Sequence, residues 1–395
     1  MSAIGFPLAP WADQTIASLA TATGSQAIAK LDGATLLGER AMLGGMTIPG
    51  RTSAGGGCHL FDAVGDTIAL NLSRPTDRQL LPALFETGDL NTDDHEAIAA
   101  RIARSDAAAL VTRGRSMGLA IAAEHETPSP ATGACVQLVA GTAAATSVRH
   151  APRVLDLSAL WAGPLAAHLL WLAGADVVKV ESRTRPDAMR EGNNTFYALL
   201  NQGKASVALD FRDANDRQAL LSLIASSDIV IEAARPRALA QLGIDAAQIV
   251  RRTPGLVWVT ITGHGALGEA ASWVGFGDDC GVSGGLSAAL RAASGQTGFV
   301  GDAMADPLTG MLAALVAWEA WTSRQGGRFG LAMSRVVARG LAIARDRDPL
   351  ALERSLTAWS AAAGKPFPTV SRRTIGALPS FGENTGSYLA ESRAM

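Results

Sequence analysis

The stretch GDAMADPLTGMLAAL, residues 301–315, sets two carboxylates, Asp302 and Asp306, just ahead of an apolar helical pattern that runs to Trp321. Two roles suit Asp306. Aspartate is a favoured helix N-cap, and a proline directly after it fits the first helical position, where its missing N–H would go unpaired anyway. A carboxylate at the positive end of a helix is also a placed nucleophile. Taken alone, the stretch favours the cap.

Other residues carry chemistry in outline. SAGGGC (53–58) holds Gly55, Gly56 and Gly57 in a row before a strand. Such a run is a flexible loop by default, and functionally it lets backbone N–H groups approach an oxyanion closely. Lys179, Arg183, Arg185, Lys204 and Arg212 read as solvated surface charges by default, but several fall at or just beyond expected strand ends, where an anionic cofactor would lie. GVSGG (281–285) matches the Gly-x-Ser-x-Gly pattern of a nucleophile elbow. That reading needs a histidine downstream, and all six (59, 95, 125, 150, 168 and 264) precede Ser283. A glycine-rich loop is the better expectation. A dinucleotide site is similarly weak. Glu181 closes a strand where a ribose-binding carboxylate would sit, but the preceding turn, ALWAGPLAAH, offers one glycine where three are needed.

The elements that position these groups fall into two textures. In the first part, HLFDA and TIALNLS flank the turn signal Val64-Gly65-Asp66, which predicts a hairpin. Helical patterns follow at 77–86 and 94–118. Residues 126–152, rich in Pro, Thr, Ala and Gly, read as a linker. Beyond it, RVLDLS, ADVVKVE, SVALDF, DIVIEA and GLVWVTIT alternate with helical patterns such as DANDRQALLSLIASS. That alternation predicts an α/β fold: a Rossmann-like parallel sheet with helices on both faces, plus a smaller α+β domain placed N-terminally. The expected organisation is 1–125 for the smaller domain, 126–152 for the linker, 153–350 for the Rossmann-like domain and 351–395 for a tail packing back on it.

The 395 residues carry 34 Lys plus Arg against 36 Asp plus Glu, without the basic excess of a dedicated nucleic-acid binder. Cys58, Cys135 and Cys280 are scattered with no CxxC pair, so neither a disulfide framework nor a metal site is expected. No apolar run reaches the ~18 residues of a membrane span. No basic residue precedes Lys30, so a signal peptide is not expected and a cytoplasmic location is.

Several of these segments together resemble a known family. RVLDLSALWAGPLAAHLLWLAGADVVKVES (153–182) resembles the opening of the class III CoA-transferases, the CaiB/BaiF or formyl-CoA transferase type. NQGKASVALDF (201–211) is similar to the family's Asn-x-x-Lys-x-Ser stretch, and DIVIEAARPRALAQLGI (228–244) to its following strand and helix. GDAMADPLTGMLAAL is similar to the segment with the catalytic aspartate, an Asp four residues before a Gly. That spacing selects Asp306, with Gly310, over Asp302. GALPSFGENTGSYLAE (376–391) resembles the closing Leu-Gly-Glu-x-Thr signature. The order of segments departs from the family: small-domain-like stretches precede the Rossmann half, as in a circular permutation.

The resemblance implies a transfer of CoA between an acyl-CoA and a free carboxylic acid. Asp306 would form an aspartyl–acyl anhydride and then an aspartyl-CoA thioester, with the helix N-terminus keeping it ionised. Gly55, Gly56 and Gly57, or the pair Gly284 and Gly285, would steady the oxyanions. By position, Arg183, Leu209 and Arg212 match family sites around the CoA nucleotide, with Lys204 close by. It further implies coenzyme A as substrate and covalent intermediate, no metal, and a homodimer. The family's first-turn glutamine falls on Trp161, and its asparagine–phenylalanine pair on Ala233 and Ala234. A racemase branch uses a histidine where this chain reads GFGDDCGVSGG (275–285), so Asp278 and Asp279 are expected as structural turn residues. Racemisation on the same scaffold and non-catalytic acyl-CoA binding are the alternatives.

Overall fold

The computed structural model describes residues 4–129, 133–144, 150–234 and 236–394. β1 (Cys58–Asp62), β2 (Thr67–Asn71) and β3 (Ala120–Ala123) form a small antiparallel sheet in that order. The expected hairpin is its first half, with Gly65 at φ +91° supplying the left-handed turn residue. A second, seven-stranded sheet comprises β4 (Cys135–Ala143), β5 (Arg153–Asp156), β6 (Asp176–Ser182), β7 (Ala205–Leu209), β8 (Ile229–Glu232), β9 (Val257–Thr262) and β10 (Gln325–Ala332). Its order is β4-β10-β9-β8-β5-β6-β7, parallel throughout except for β4.

The strands of the large sheet are apolar runs because both faces are covered. Adjacent residues point to opposite layers. Val177 joins the core formed with helices Ala162–Leu172 and Ala305–Thr322, and Val178 joins the core under helix Ala214–Ala225. Each such buried side chain contributes roughly 1.5–3 kcal/mol.

Strand order reverses at β5, whose neighbours are β6 and β8. In open sheets of this kind the crevice at the carboxyl end of the reversal strand is where ligands bind. Helix Ala162–Leu172 starts there, and helix Ala305–Thr322 packs along it. Gly310 explains that closeness. A side chain there would meet the Ala162 carbonyl at 2.7 Å and the Leu165 Cβ at 3.0 Å. One helical turn after Asp306, it lets this part of the helix lie flush against its neighbour.

Two features differ from the expected organisation. The 126–152 linker contains β4, which pairs antiparallel with β10; its remaining stretches 130–132 and 145–149 lie outside the described residues. Nor does the first part of the chain form one unit. Helices Ala9–Thr23 and Gly33–Leu43 bury Trp11, Ile16, Leu19, Leu36 and Leu37 in the same core as Leu165, Leu308 and Met311. Trp318 donates its indole N–H to the Ala22 carbonyl at 3.0 Å. Amphipathic helices settle where apolar surface is available, and here that surface belongs to the large sheet's layer.

The C-terminal stretch returns along the opposite edge. Asn384 accepts from the Ser206 N–H and donates its own N–H to the Ser206 carbonyl, both at 2.9 Å, and Thr385 Oγ1 accepts from Ala208 N–H. These bonds cover the exposed edge of β7, which would otherwise present unpaired backbone groups.

Candidate active site

Asp306 is the second residue of its helix, not the cap: the helix runs Ala305–Thr322, and Met304 flanks it without a side-chain bond. The carboxylate instead reaches across to the next helix, where Oδ1 accepts the N–H of Ala162 at 3.2 Å. On its other side, a side chain on Gly277 would collide with Oδ2. Two helix starts and a glycine wall therefore surround a residue that stays partly open to solvent.

Arg40 and two more aspartates complete the cluster. Arg40 donates to both oxygens of buried Asp302, with Nε–Oδ2 at 2.8 Å, and its guanidinium lies over the Trp161 ring, 5.0 Å from the centroid. Asp278 accepts the N–H of Ala303 at 3.0 Å. Ala303 has a left-handed backbone, φ +42°, unusual for a residue with a Cβ, and its carbonyl accepts the Asp306 N–H at 2.9 Å. Asp278 thus holds the strained turn that presents Asp306.

One guanidinium faces three carboxylates, and two of them, Asp278 and Asp306, are shifted. Desolvation pushes Asp306 up to about 7; Arg40 and the Ala162 N–H oppose the rise, while Asp278 and Asp302 add to it. Asp278 rises to about 6, again chiefly through burial with Asp302 beside it. The helix N-terminus thus does not hold Asp306 in the ordinary carboxylate range. A terminal dipole contributes only ~0.3–1 kcal/mol, less than shielding and like charge together.

The turn before Ala162 is fixed from below. Leu160 is also left-handed, φ +68°, and its N–H donates to both oxygens of Asp187, at 3.2 and 3.1 Å. Lys179, buried, donates to the Ser158 carbonyl at 2.8 Å and pairs with Asp187 at 3.2 Å. Glu181 belongs to the same network through Arg190 and the Tyr197 hydroxyl, so it is not a free ribose ligand.

The other expected site residues divide. A side chain on Gly55 would come 3.5 Å from Arg40, one on Gly56 would meet nothing within 4 Å and one on Gly57 would collide with Ser73, so none of the three is placed against Asp306. Gly284 packs on Val337 and Gly285 near Thr127, so that pair is a helix contact instead of an oxyanion hole. Arg183 and Arg212 do lie beyond β6 and β7. Arg183 donates to the Ala208 carbonyl and sits 3.6 Å from Asp216; Arg212, exposed, chelates Asp210. Leu209 is fully buried in the core under helix Ala214–Ala225.

Lys204 corrects the cofactor expectation. It is buried, and its ammonium donates to Asp156, to the Pro164 carbonyl and to Asn201, at 2.8 to 2.9 Å. All three N–H donors are in use, and none is left for a phosphate. Burial lowers its pKa to about 8 despite Asp156. Lys204→Met is expected to cost about 3–5 kcal/mol by stranding Asp156, read as an earlier urea midpoint.

The Gly-x-Ser-x-Gly stretch begins as the last residues of helix Gly277–Ser283, and Gly284 and Gly285 make the turn before helix Leu286–Ser294. Ser283 lies buried within the first of these helices, its Oγ 3.4 Å from His264 Nδ1, with none of the exposure an elbow requires. Asp279 accepts the Phe276 N–H at 2.9 Å, a structural role as expected. Arg40 had no local signal in the sequence, since its partner lies 262 positions away.

Residues 151–334 match the model for CoA-transferase family III, a segment that holds six of the large sheet's seven strands together with Asp278, Asp302 and Asp306. Two relatives are informative. The chain is 31% identical over 180 residues to succinyl-CoA–D-citramalate CoA-transferase of Chloroflexus aurantiacus, covering 44% of this chain and 45% of that one. It is 27% identical over 231 residues to a probable fatty acyl-CoA transferase, Rv3272, of Mycobacterium tuberculosis, covering 56% and 58%. A crystal structure of Rv3272 aligns at 26% identity and a TM-score of 0.44, over 54% of this chain and 59% of that one. The chain spans about half the length of the curated relatives it matches. Among the described residues, no helix is long and apolar enough to cross a membrane.

Proposed function

We propose that the chain is a CoA-transferase that moves CoA between an acyl-CoA thioester and a free carboxylic acid, with Asp306 as nucleophile. The observation that carries this reading is the placement of the Asp306 carboxylate. It is partly open, bonded by the first N–H of the helix after β5, and at the crevice where strand order reverses. The names of the relatives support the reaction class, and the donor and acceptor acids stay open.

In the proposed sequence Asp306 attacks the thioester carbonyl and the C–S bond breaks. This gives an aspartyl–acyl anhydride and CoA thiolate. The thiolate attacks the aspartyl carbonyl, releasing the donor acid as its carboxylate and leaving an aspartyl-CoA thioester. The acceptor carboxylate attacks that thioester, forming a second anhydride and freeing the thiolate again. Attack on the acceptor's carbonyl yields the new acyl-CoA and restores Asp306. Each half splits one difficult exchange into easier steps. The Ala162 N–H is the donor already in place for charge on the aspartyl oxygen.

A cavity of about 10 Å³ lies beside Gly277 and Asp278, walled by Val282, Leu286, Phe299 and Met304. It holds no more than a water molecule. The acyl group therefore approaches from the solvent side of Asp306, and arginines at the ends of β6 and β7 suit the CoA phosphates. We also read the protein as a cytoplasmic homodimer, which light scattering of the purified chain tests.

Incubation with acyl-CoA and hydroxylamine, followed by peptide mass spectrometry, tests the covalent route. A hydroxamate at Asp306 is the expected product, and borohydride is expected to reduce the aspartyl-CoA thioester to an alcohol. Deuterium uptake at Cα without modification of Asp306 would replace transfer by isomerisation, with Asp278 and Asp306 exchanging the proton. Neither signal would leave acyl-CoA binding alone.

A further inference from the structure

One buried cluster outside this chemistry remains without a role. His264, in the loop after β9, faces Asp279 and Cys280 on helix Gly277–Ser283, and all three are buried. His264 Nε2 lies 3.7 Å from Asp279 Oδ2 and 4.0 Å from Cys280 Sγ, and Sγ lies 3.8 Å from the same Oδ2. The nitrogen–oxygen separation is too long for a good hydrogen bond. The three donor atoms nearly form an equilateral triangle, with Sγ also 3.4 Å from the Gly263 carbonyl oxygen.

The size of that triangle is specific. A point equidistant from its corners lies about 2.2 Å from each, between the usual zinc–nitrogen and zinc–sulfur lengths. Gly275 backs the space: a Cβ there would stand 2.6 Å from Sγ and 2.9 Å from Nε2. A side chain at 275 would therefore press on two of the three donors, and glycine keeps that side clear.

The outer atoms of the ligands are already held. His264 Nδ1 lies 3.4 Å from Ser283 Oγ, and Asp279 Oδ1 is fixed by the Phe276 N–H. Metal-bound histidines and carboxylates are usually oriented by such partners. Trp273 stands against the His264 ring, and Arg115 over Trp273 is neutralised by Glu126. Cysteine ligates as its thiolate, so uptake of a cation releases a proton.

We propose that His264, Asp279 and Cys280 bind a divalent transition metal of the zinc class, which ties the loop after β9 to the helix that backs Asp306. Mixed sulfur, nitrogen and oxygen donors select zinc or cobalt over magnesium or calcium. Three protein donors leave a fourth position for water.

The test uses the full chain, stripped with a chelator and titrated with Co²⁺ and then Zn²⁺. The expected result is one equivalent of Co²⁺ with a thiolate-to-cobalt charge-transfer band, displaced by Zn²⁺, and a rise in melting temperature on Zn²⁺ addition. Cys280→Ser is expected to lose the band, and Asp279→Asn, which keeps the bond from Phe276, to weaken uptake at least tenfold. No stoichiometric uptake by the parent chain, or a cobalt spectrum without a thiolate band, overturns the site whether or not either variant folds. Activity is not the readout, so this outcome is independent of the transferase reading.

Discussion

Asp306→Asn is expected to lower CoA transfer by a factor on the order of 10⁴ or more, since removing a covalent nucleophile leaves only binding and orientation. In the parent protein the rate should rise with pH through about 7, where the Asp306 carboxyl ionises. Asp278→Asn removes one like charge and should move that midpoint down. Stability has the opposite sign. A carboxyl whose pKa is raised on folding binds an extra proton in the folded state between about pH 4 and 7, so its contribution is lost as pH rises through 7. The same Asp306→Asn variant is therefore expected to be more stable than the parent at pH 8, on the order of 2 kcal/mol once residual exposure is allowed for. At pH 4 the two should match. A single change that removes the activity while raising the melting point at pH 8 is the outcome a strained nucleophile predicts. Retained transfer, or equal melting points at both pH values, would contradict it.

The large sheet was legible because a strand buried on both faces leaves an apolar run. Val154, Val177, Val207, Ile229 and Val257 all sit in strands that the pattern located. β10 was hidden for a physical reason. Its start, QGGRFG, reads as a turn, yet the glycines serve close backbone approach. A side chain on Gly141 of β4 would meet the Gly326 carbonyl oxygen at 2.5 Å, and one on Gly326 would meet that of Leu256 at 3.0 Å. β4 was lost with it, because an edge strand paired only to β10 carries a mixed surface. The basic residues show the limit of reading charge by position. Lys204 and Lys179 look like solvent-facing cations beside strands, but both are buried against aspartates. The family resemblance picked Asp306 and Gly310 because the spacing it rests on, one helical turn, is a local rule. The Arg40–Asp302 pair obeys no local rule.

Arg40→Met should bring the largest loss of stability of any single change at this site. The guanidinium comes from helix Gly33–Leu43, and it is the cation that opposes the rise in pKa of both Asp278 and Asp306. Removing it strands buried Asp302 and leaves three carboxylates facing one another, at an expected cost of about 3–5 kcal/mol at pH 8. At pH 5, below the values of about 6 and about 7, Asp278 and Asp306 both carry protons, so the loss should shrink. Arg40→Lys keeps the charge but not the two-pronged bond to Asp302 or the flat contact with Trp161, and an intermediate loss is expected. Urea unfolding at the two pH values reads all three chains. In Arg40→Lys, whatever folds should also show its rate midpoint above that of the parent, because a weaker counter-charge lets the Asp306 carboxyl hold its proton longer. Parent-like stability in Arg40→Met would mean that the first helices only rest on the large sheet. A pH-dependent loss instead makes that segment part of the machinery, so a chain cut before the β1–β2 hairpin would keep Asp306 and lose the charge that makes it usable.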